Sequence, residues 1–277
     1  MRRLDKVVLI TGATSGIGKA AALAFDRSGA RLALAARRTD ILSGLASSMR
    51  DALAVPTDLA EEDQVRAMVD RTVSHFGRLD VLINNAAQVH FARSSTISPE
   101  VLKRAFQVNV LGPLVAAQRA VAVMRRQGGG QIINVGSPGF FIGVPFLAPY
   151  MASKAALCGL TRTLQAEWEE SGVILTEYLP GYILTESIPD SEFGRLGQDV
   201  FADPGQNALL RLLARPKPAS AAADDLLNAV YHPRRVIYSG FGVRLGVWLS
   251  NLAAFRRSTG ARMTRTFLKR LKTTVFE

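Results

Sequence analysis

Residues 7–19 read Val7-Val8-Leu9-Ile10-Thr11-Gly12-Ala13-Thr14-Ser15-Gly16-Ile17-Gly18-Lys19. The aliphatic and β-branched run at 7–11 suits a strand buried on both faces. Glycines 12, 16 and 18 fall where that strand must turn into the helical pattern of residues 19–28. Glycine lets a backbone approach an anion closely, and a helix N-terminus offers N–H groups and a favourable dipole. A strand, a glycine turn and a helix in this order predict a pyrophosphate-binding loop built from Gly12, Thr14, Ser15, Gly16, Ile17 and Gly18, with G-x-x-x-G-x-G spacing.

The same alternation continues outward from that loop. Short apolar runs at 31–35, 52–55, 81–84, 131–135, 173–178 and 236–239 predict further strands. Helix-period segments at 61–76, 99–127 and 150–171 lie between them. Alternation of this kind implies right-handed crossovers and one doubly wound parallel sheet, an α/β fold of Rossmann type. A single dinucleotide-binding catalytic domain is expected over residues 1–240, with a helical extension over 241–277. Residues 186–218 are rich in Gly, Pro and Asp, with a helical pattern only at 207–213. Such an insertion reads as a functional lid or as an ordinary surface excursion.

Composition excludes several classes. Hydrophobic residues at 48% and charged residues at 21% exclude a disordered chain. A single cysteine, Cys158, excludes an internal disulfide, and His75, His90 and His232 are too scattered for a local metal motif, so no metal is expected. The net charge is +11, yet residues 234–277 carry ten basic residues against one acid. The body is therefore close to neutral, which argues against a nucleic-acid surface spread over the domain. The apolar run at 7–10 is too short for an export signal, and 241–255 falls short of a membrane span. A reducing, cytoplasmic location is expected.

About twenty residues beyond the glycine loop, an acidic side chain at the end of the second strand would receive the ribose hydroxyls of NAD. This chain has Ala35-Ala36-Arg37-Arg38 there. Two guanidinium groups suit a 2′-phosphate, so NADP(H) is the expected cofactor, the alternative being two solvated arginines at a strand end.

Tyr150 and Lys154 stand at i and i+4 on one helical face. A free phenol is a poor acid–base catalyst near neutrality, and a nearby ammonium favours the phenolate. Ser137 follows the strand at 131–135, and Asn109 lies on the preceding helix. The C-terminal ends of parallel strands carry ligand sites, which puts Ser137 on the rim of the glycine loop.

Taken together, these motifs make the chain similar to the short-chain dehydrogenase/reductase family, in its compact subclass, over roughly residues 5 to 240. The resemblance rests on the loop at 11–18, Asp58-Leu59, Asn84-Asn85-Ala86-Ala87, Asn109, Ser137, Tyr150 with Lys154, and Pro180-Gly181-Tyr182-Ile183-Leu184-Thr185. It implies that Tyr150 is the general acid or base, that Lys154 binds the nicotinamide ribose and lowers the tyrosine pKa, and that Ser137 bonds the substrate oxygen. It also implies that Asn109 holds a water linking Lys154 to solvent. Asp58, beside Leu59, would meet the adenine, Asn85 with Ala86 and Ala87 the adenosine ribose, and Ile183 and Thr185 beyond Pro180-Gly181 the carboxamide. Ala87 stands where the family has glycine, and Gly136 where it has a small hydroxyl residue. The expected activity is that of an NADPH-dependent carbonyl reductase or alcohol dehydrogenase. The rival is a dinucleotide-binding redox sensor without turnover, which would need none of Asn109, Ser137, Tyr150 and Lys154. Family members are usually homo-oligomers, so a dimer or tetramer is expected.

Residues 140–147, with Val89, Phe91 and Tyr182, offer apolar surface without fixed charge, either as a pocket for a lipid-like, steroid-like or aromatic carbonyl compound or as core. In the extension, Phe241, Leu245, Trp248, Leu249, Leu252 and Phe255 share one helical face. Arg262, Arg265, Lys269 and Lys272 share another, opposite Met263, Phe267 and Leu271. The first helix is expected to pack on the enzyme or a second subunit. The second could do the same or lie on an anionic membrane.

Overall fold

Val7–Thr11 (β1) is buried at every position, as its unbroken aliphatic sequence requires. The computed structural model describes residues 4–185 and 216–251. Around β1 lie Arg31–Ala36 (β2), Ala52–Pro56 (β3), Val81–Asn84 (β4), Gly130–Val135 (β5), Val173–Leu179 (β6) and, after a short pairing described below, Val236–Tyr238 (β9). They form one seven-stranded sheet in the order β3-β2-β1-β4-β5-β6-β9. Every pairing in it is parallel. The expected strands are all present, each within a residue or so of its predicted ends.

Alternate residues of each strand feed opposite layers. On one face Val8, Ile10, Leu32 and Leu34 pack against Gly16–Ser28 (α1), Thr39–Ser47 (α2) and Ala219–Tyr231 (α7). On the other, Val7, Leu9, Ala33 and Leu82 pack against Glu62–Phe76 (α3) and Gly112–Arg126 (α5), with Leu164 from Ala148–Glu167 (α6). The doubly wound expectation is met.

The helical run expected at 99–127 is interrupted. Pro99–Phe106 (α4) passes through a π turn at Gln107–Leu111 before α5 begins. The whole run is long and apolar enough in composition to cross a bilayer, but over half of its most apolar stretch is buried in the protein. Two short strands, Ile183–Leu184 (β7) and Lys217–Pro218 (β8), pair in parallel beside the main sheet. The predicted lid helix at 207–213 and the second tail helix lie outside the described residues.

Phe241–Leu249 (α8) differs from expectation. It packs on the turn Pro138–Phe141 and on β9, burying Val243 rather than Phe241 and Trp248, while Leu252 and Phe255 of the expected stripe lie outside the described residues. Phe241 and Trp248 remain 73% and 65% exposed.

Candidate functional site

The chain reverses its direction of sheet growth between β1, which leads on to β2, and β4, so a crevice opens at the C-terminal ends of these strands. It is a cleft of about 590 Å³, lined along one stretch by Gly12, Thr14, Ser15, Ile17, Arg37 and Arg38 and along another by Tyr150 and Lys154.

Gly12 (φ +70°) and Gly16 (φ +52°) use left-handed backbone to make the turn. A Cβ on Gly12 would meet Ala86 Cα at 2.8 Å, and one on Gly18 would meet the Gly12 carbonyl oxygen at 2.2 Å. The loop is pinned from beneath: Thr11 Oγ1 accepts from the main-chain N–H groups of Asn85 and Ala86 at 3.0 and 3.1 Å, and Asn85 Nδ2 donates to the Thr11 carbonyl at 2.9 Å. Helix α1 has no side-chain cap and no acidic residue in its first turn, so its positive end faces the cleft uncompensated. These features fit the pyrophosphate of a dinucleotide.

At the outer end, Arg38 donates from Nε and Nη2 to Thr14 Oγ1 at 3.2 and 2.9 Å. Asp58 and Leu59 line the same region. Burial would raise the Asp58 carboxyl, but the Ala60 N–H and the Arg104 guanidinium, 2.6 Å from Oδ2, hold it below its ordinary range. Arg37 adds to that effect. Sequence reasoning did not single out Arg104, since nothing in the pattern of α4 links it to a residue so far upstream.

At the inner end, Lys154 is 2% exposed and donates from Nζ to the Val135 carbonyl at 2.7 Å. Its Nζ lies 5.8 Å from the Tyr150 ring centroid. Burial lowers the Lys154 ammonium to about 8. It also raises the Tyr150 phenol to about 12, against a smaller lowering by the Ser137 hydrogen bond. The expected ammonium-lowered phenol thus gives way to a raised one, because desolvation is larger than the lowering by Ser137. A chain of side chains fixes α6 on the sheet. Asn84 Nδ2 donates to Asn134 Oδ1 at 2.8 Å, and Asn134 Nδ2 donates to Thr161 Oγ1 at 2.9 Å.

Asn109 sits at the centre of the π turn, fully buried, behind the cleft wall rather than on it. Its Oδ1 accepts from the Gln88 N–H at 2.7 Å, and its Nδ2 donates to the Gln88 carbonyl at 3.0 Å and to Ser153 Oγ at 2.9 Å. Ser153 Oγ donates to the Tyr150 carbonyl at 2.8 Å. The amide therefore links the loop after β4 to the turn bearing Tyr150.

Asn85, Ala86, Ala87, Pro180 and Thr185 line the cleft, together with Ala35, Ala36, Thr57, Gln88, Val89, Val108, Val135 and Gly136, which had no expected cofactor role. Gly16, Gly18, Ser137, Gly181 and Ile183 are not among its lining residues: Gly18 lies tight against Gly12, Gly181 against Val243, and Ile183 is buried in β7. Ala87 keeps a negative φ, so its methyl carries no backbone strain. Beside Tyr150, the apolar residues expected as pocket or core form a small cluster of their own, in which Val144 and Leu147 are buried and Val89, Phe91, Ile142, Tyr150 and Met151 pack against them.

Known proteins are similar to this chain in sequence and fold. The family model described as short chain dehydrogenase matches residues 6–192. An uncharacterized oxidoreductase of Thermotoga maritima is 38% identical over 187 residues, covering 66% of this chain and 74% of that protein. A D-beta-hydroxybutyrate dehydrogenase of Rhizobium meliloti is 32% identical over 199 residues, covering 68% of this chain and 76% of the relative. Among solved structures, L-sorbose reductase from Gluconobacter frateurii, complexed with NADPH and L-sorbose, superposes with a TM-score of 0.74 at 26% identity, covering 86% of this chain and 96% of that one.

Proposed function

The chain belongs to the short-chain dehydrogenase family, whose members are oxidoreductases, and on that premise we propose that it uses NADP(H) to interconvert a carbonyl and an alcohol on an apolar substrate, with Tyr150 as proton donor and acceptor. One observation carries the reading: a single cleft runs from the glycine loop and the Arg37–Arg38 pair to Tyr150 and Lys154. A redox sensor would have no use for the second half of that cleft.

When bound, the dinucleotide supplies or accepts the hydride. The protein's part is to hold it and to manage one proton. Arg37 and Arg38 give the outer end a double positive charge suited to a 2′-phosphate, the feature that separates NADPH from NADH. Tyr150 keeps its proton across neutral pH, because burial raises the phenol to about 12. It thus holds a proton to give to a substrate oxygen during reduction, and the weaker acidity that burial imposes must be offset by a neighbouring charge. Ser137, whose hydroxyl lowers the Tyr150 phenol, offers a second donor to the same oxygen. Lys154, anchored on the Val135 carbonyl, supplies the charge that stabilises the phenolate left behind. Val89 lines the cleft and joins Tyr150 in an apolar cluster with Phe91, Ile142 and Met151, which favours an apolar carbonyl compound over the hydroxy acid and the sugar named for the two relatives.

The test is oxidation of NADPH and NADH with a panel of apolar ketones and aldehydes, run beside Tyr150→Phe. NADPH turnover is expected, with a loss of at least about a hundredfold in the variant. An undiminished rate in Tyr150→Phe would refute the assigned acid.

A further inference from the structure

We propose that α8 docks the enzyme on an anionic lipid bilayer and that its substrate reaches the cleft from that surface; the second half of the statement rests on the carbonyl-reductase reading above. Phe241 and Trp248 are two helical turns apart and so share one face of α8. Among the described residues they are the only exposed phenylalanine, tyrosine or tryptophan rings. Leu245 and the exposed Arg244 lie between them on that face. An outward Trp–Phe pair with a cation between them suits the headgroup boundary, where amphipathic rings sit and arginine meets anionic phosphate.

Charge selects this occupant. No carboxylate occurs between Asp225 and Glu277, while Arg244, Arg256, Arg257, Arg262, Arg265, Lys269, Arg270 and Lys272 all fall within that interval. Basic residues that follow an aromatic anchor in sequence add attraction to an anionic surface and none to a neutral one.

Position links the face to the chemistry. The opposite side of α8 packs on the turn Pro138–Phe141, which follows Ser137, and Val243 abuts Gly181 in the segment between β6 and β7. A bilayer held by Phe241 and Trp248 is therefore separated only by α8 from the turn that follows Ser137 and from the segment around Gly181. An apolar carbonyl compound dissolved in the acyl chains would travel a short distance from lipid to cleft.

The full-length protein is mixed with phosphatidylcholine vesicles with and without phosphatidylglycerol and recovered by flotation. Binding to the anionic vesicles only, weakened by salt, is expected, with partitioning reduced roughly tenfold or more in Phe241→Ser/Trp248→Ser. In a Trp168→Phe background, brominated acyl chains should quench Trp248, the remaining tryptophan. Turnover of a long-chain ketone carried in anionic vesicles should fall in the double variant, while turnover of a short water-soluble analogue should not. Equal flotation of wild type and double variant, an unquenched Trp248, or a change in sedimenting mass of the double variant without vesicle binding would overturn the proposal, the last identifying a second copy as the occupant. Absence of turnover on both ketones with flotation intact would sink the reductase reading and leave the docking standing.

Discussion

Arg38 and Thr14, from the second strand–helix junction and the first, meet across the outer cleft, two guanidinium nitrogens sharing one hydroxyl oxygen. That contact commits two of the five arginine N–H donors and fixes where the rest of the fork stands. Replacing Arg38 with alanine should raise KM for NADPH roughly tenfold to a hundredfold and leave NADH nearly unchanged, as read from initial rates with each cofactor. Equal losses with both cofactors would remove Arg38 from 2′-phosphate recognition.

Lys154 stores a cost in the fold. Its ammonium is lowered from 10.5 to about 8 by burial, so the unfolded chain binds more protons between those values. The Lys154 contribution to stability should therefore rise as pH climbs from about 8 towards 10.5, opposed above about 9 by the Cys158 thiol, which burial raises to about 12, so the comparison of wild type with the variant isolates it. Lys154→Met should flatten that rise and stabilise the ligand-free protein at neutral pH by roughly 1–3 kcal/mol while abolishing turnover. Urea unfolding at pH 7 and 10 checks both signs; a less stable variant at pH 7 would show that the Val135 hydrogen bond outweighs desolvation.

Arg104 acts through Asp58. With the guanidinium gone, burial dominates and the Asp58 carboxyl moves up. Arg104→Gln should raise cofactor KM several-fold on the acid side of neutrality and less above it, whereas Asp58→Asn should weaken binding at every pH. A pH series of KM values separates the two, and a uniform loss in Arg104→Gln would assign the residue a purely structural role.

Gly18 and Ala87 provide a matched pair. Gly18→Ala drives a methyl into the Gly12 carbonyl, and backbone cannot yield as a flexible side chain can. A loss of roughly 1–3 kcal/mol is expected together with weakened cofactor binding. Ala87→Gly, which restores the family residue, should cost no more than roughly 1 kcal/mol, through chain entropy alone, and keep activity. Chemical denaturation midpoints of the two variants decide the matter.

The strands and the cleft were legible because a parallel strand buried on both faces writes itself as an unbroken apolar run, and because glycine spacing is a local geometric demand. Val7–Thr11 and Val81–Asn84 needed no tertiary information. The π turn around Asn109 was not legible, since periodicity registers a helix and passes over one inserted residue. Arg104 and the Asn84–Asn134–Thr161 chain depend on side chains meeting across long sequence separations. The orientation of α8 was misread for a related reason: apolar spacing says which residues share a face, while the Val243 contact with Gly181 decides which face turns inward.

The strand order also governs when the enzyme becomes competent during its own synthesis. β1 to β3 are neighbours in the chain and can associate early, yet the wall opposite them waits for β4, β5 and α6. A ribosome-bound fragment ending before residue 154 would hold the glycine loop without its counterpart, so an added nicotinamide dinucleotide should not shield such a fragment from proteases, and protection should begin only with the finished sheet.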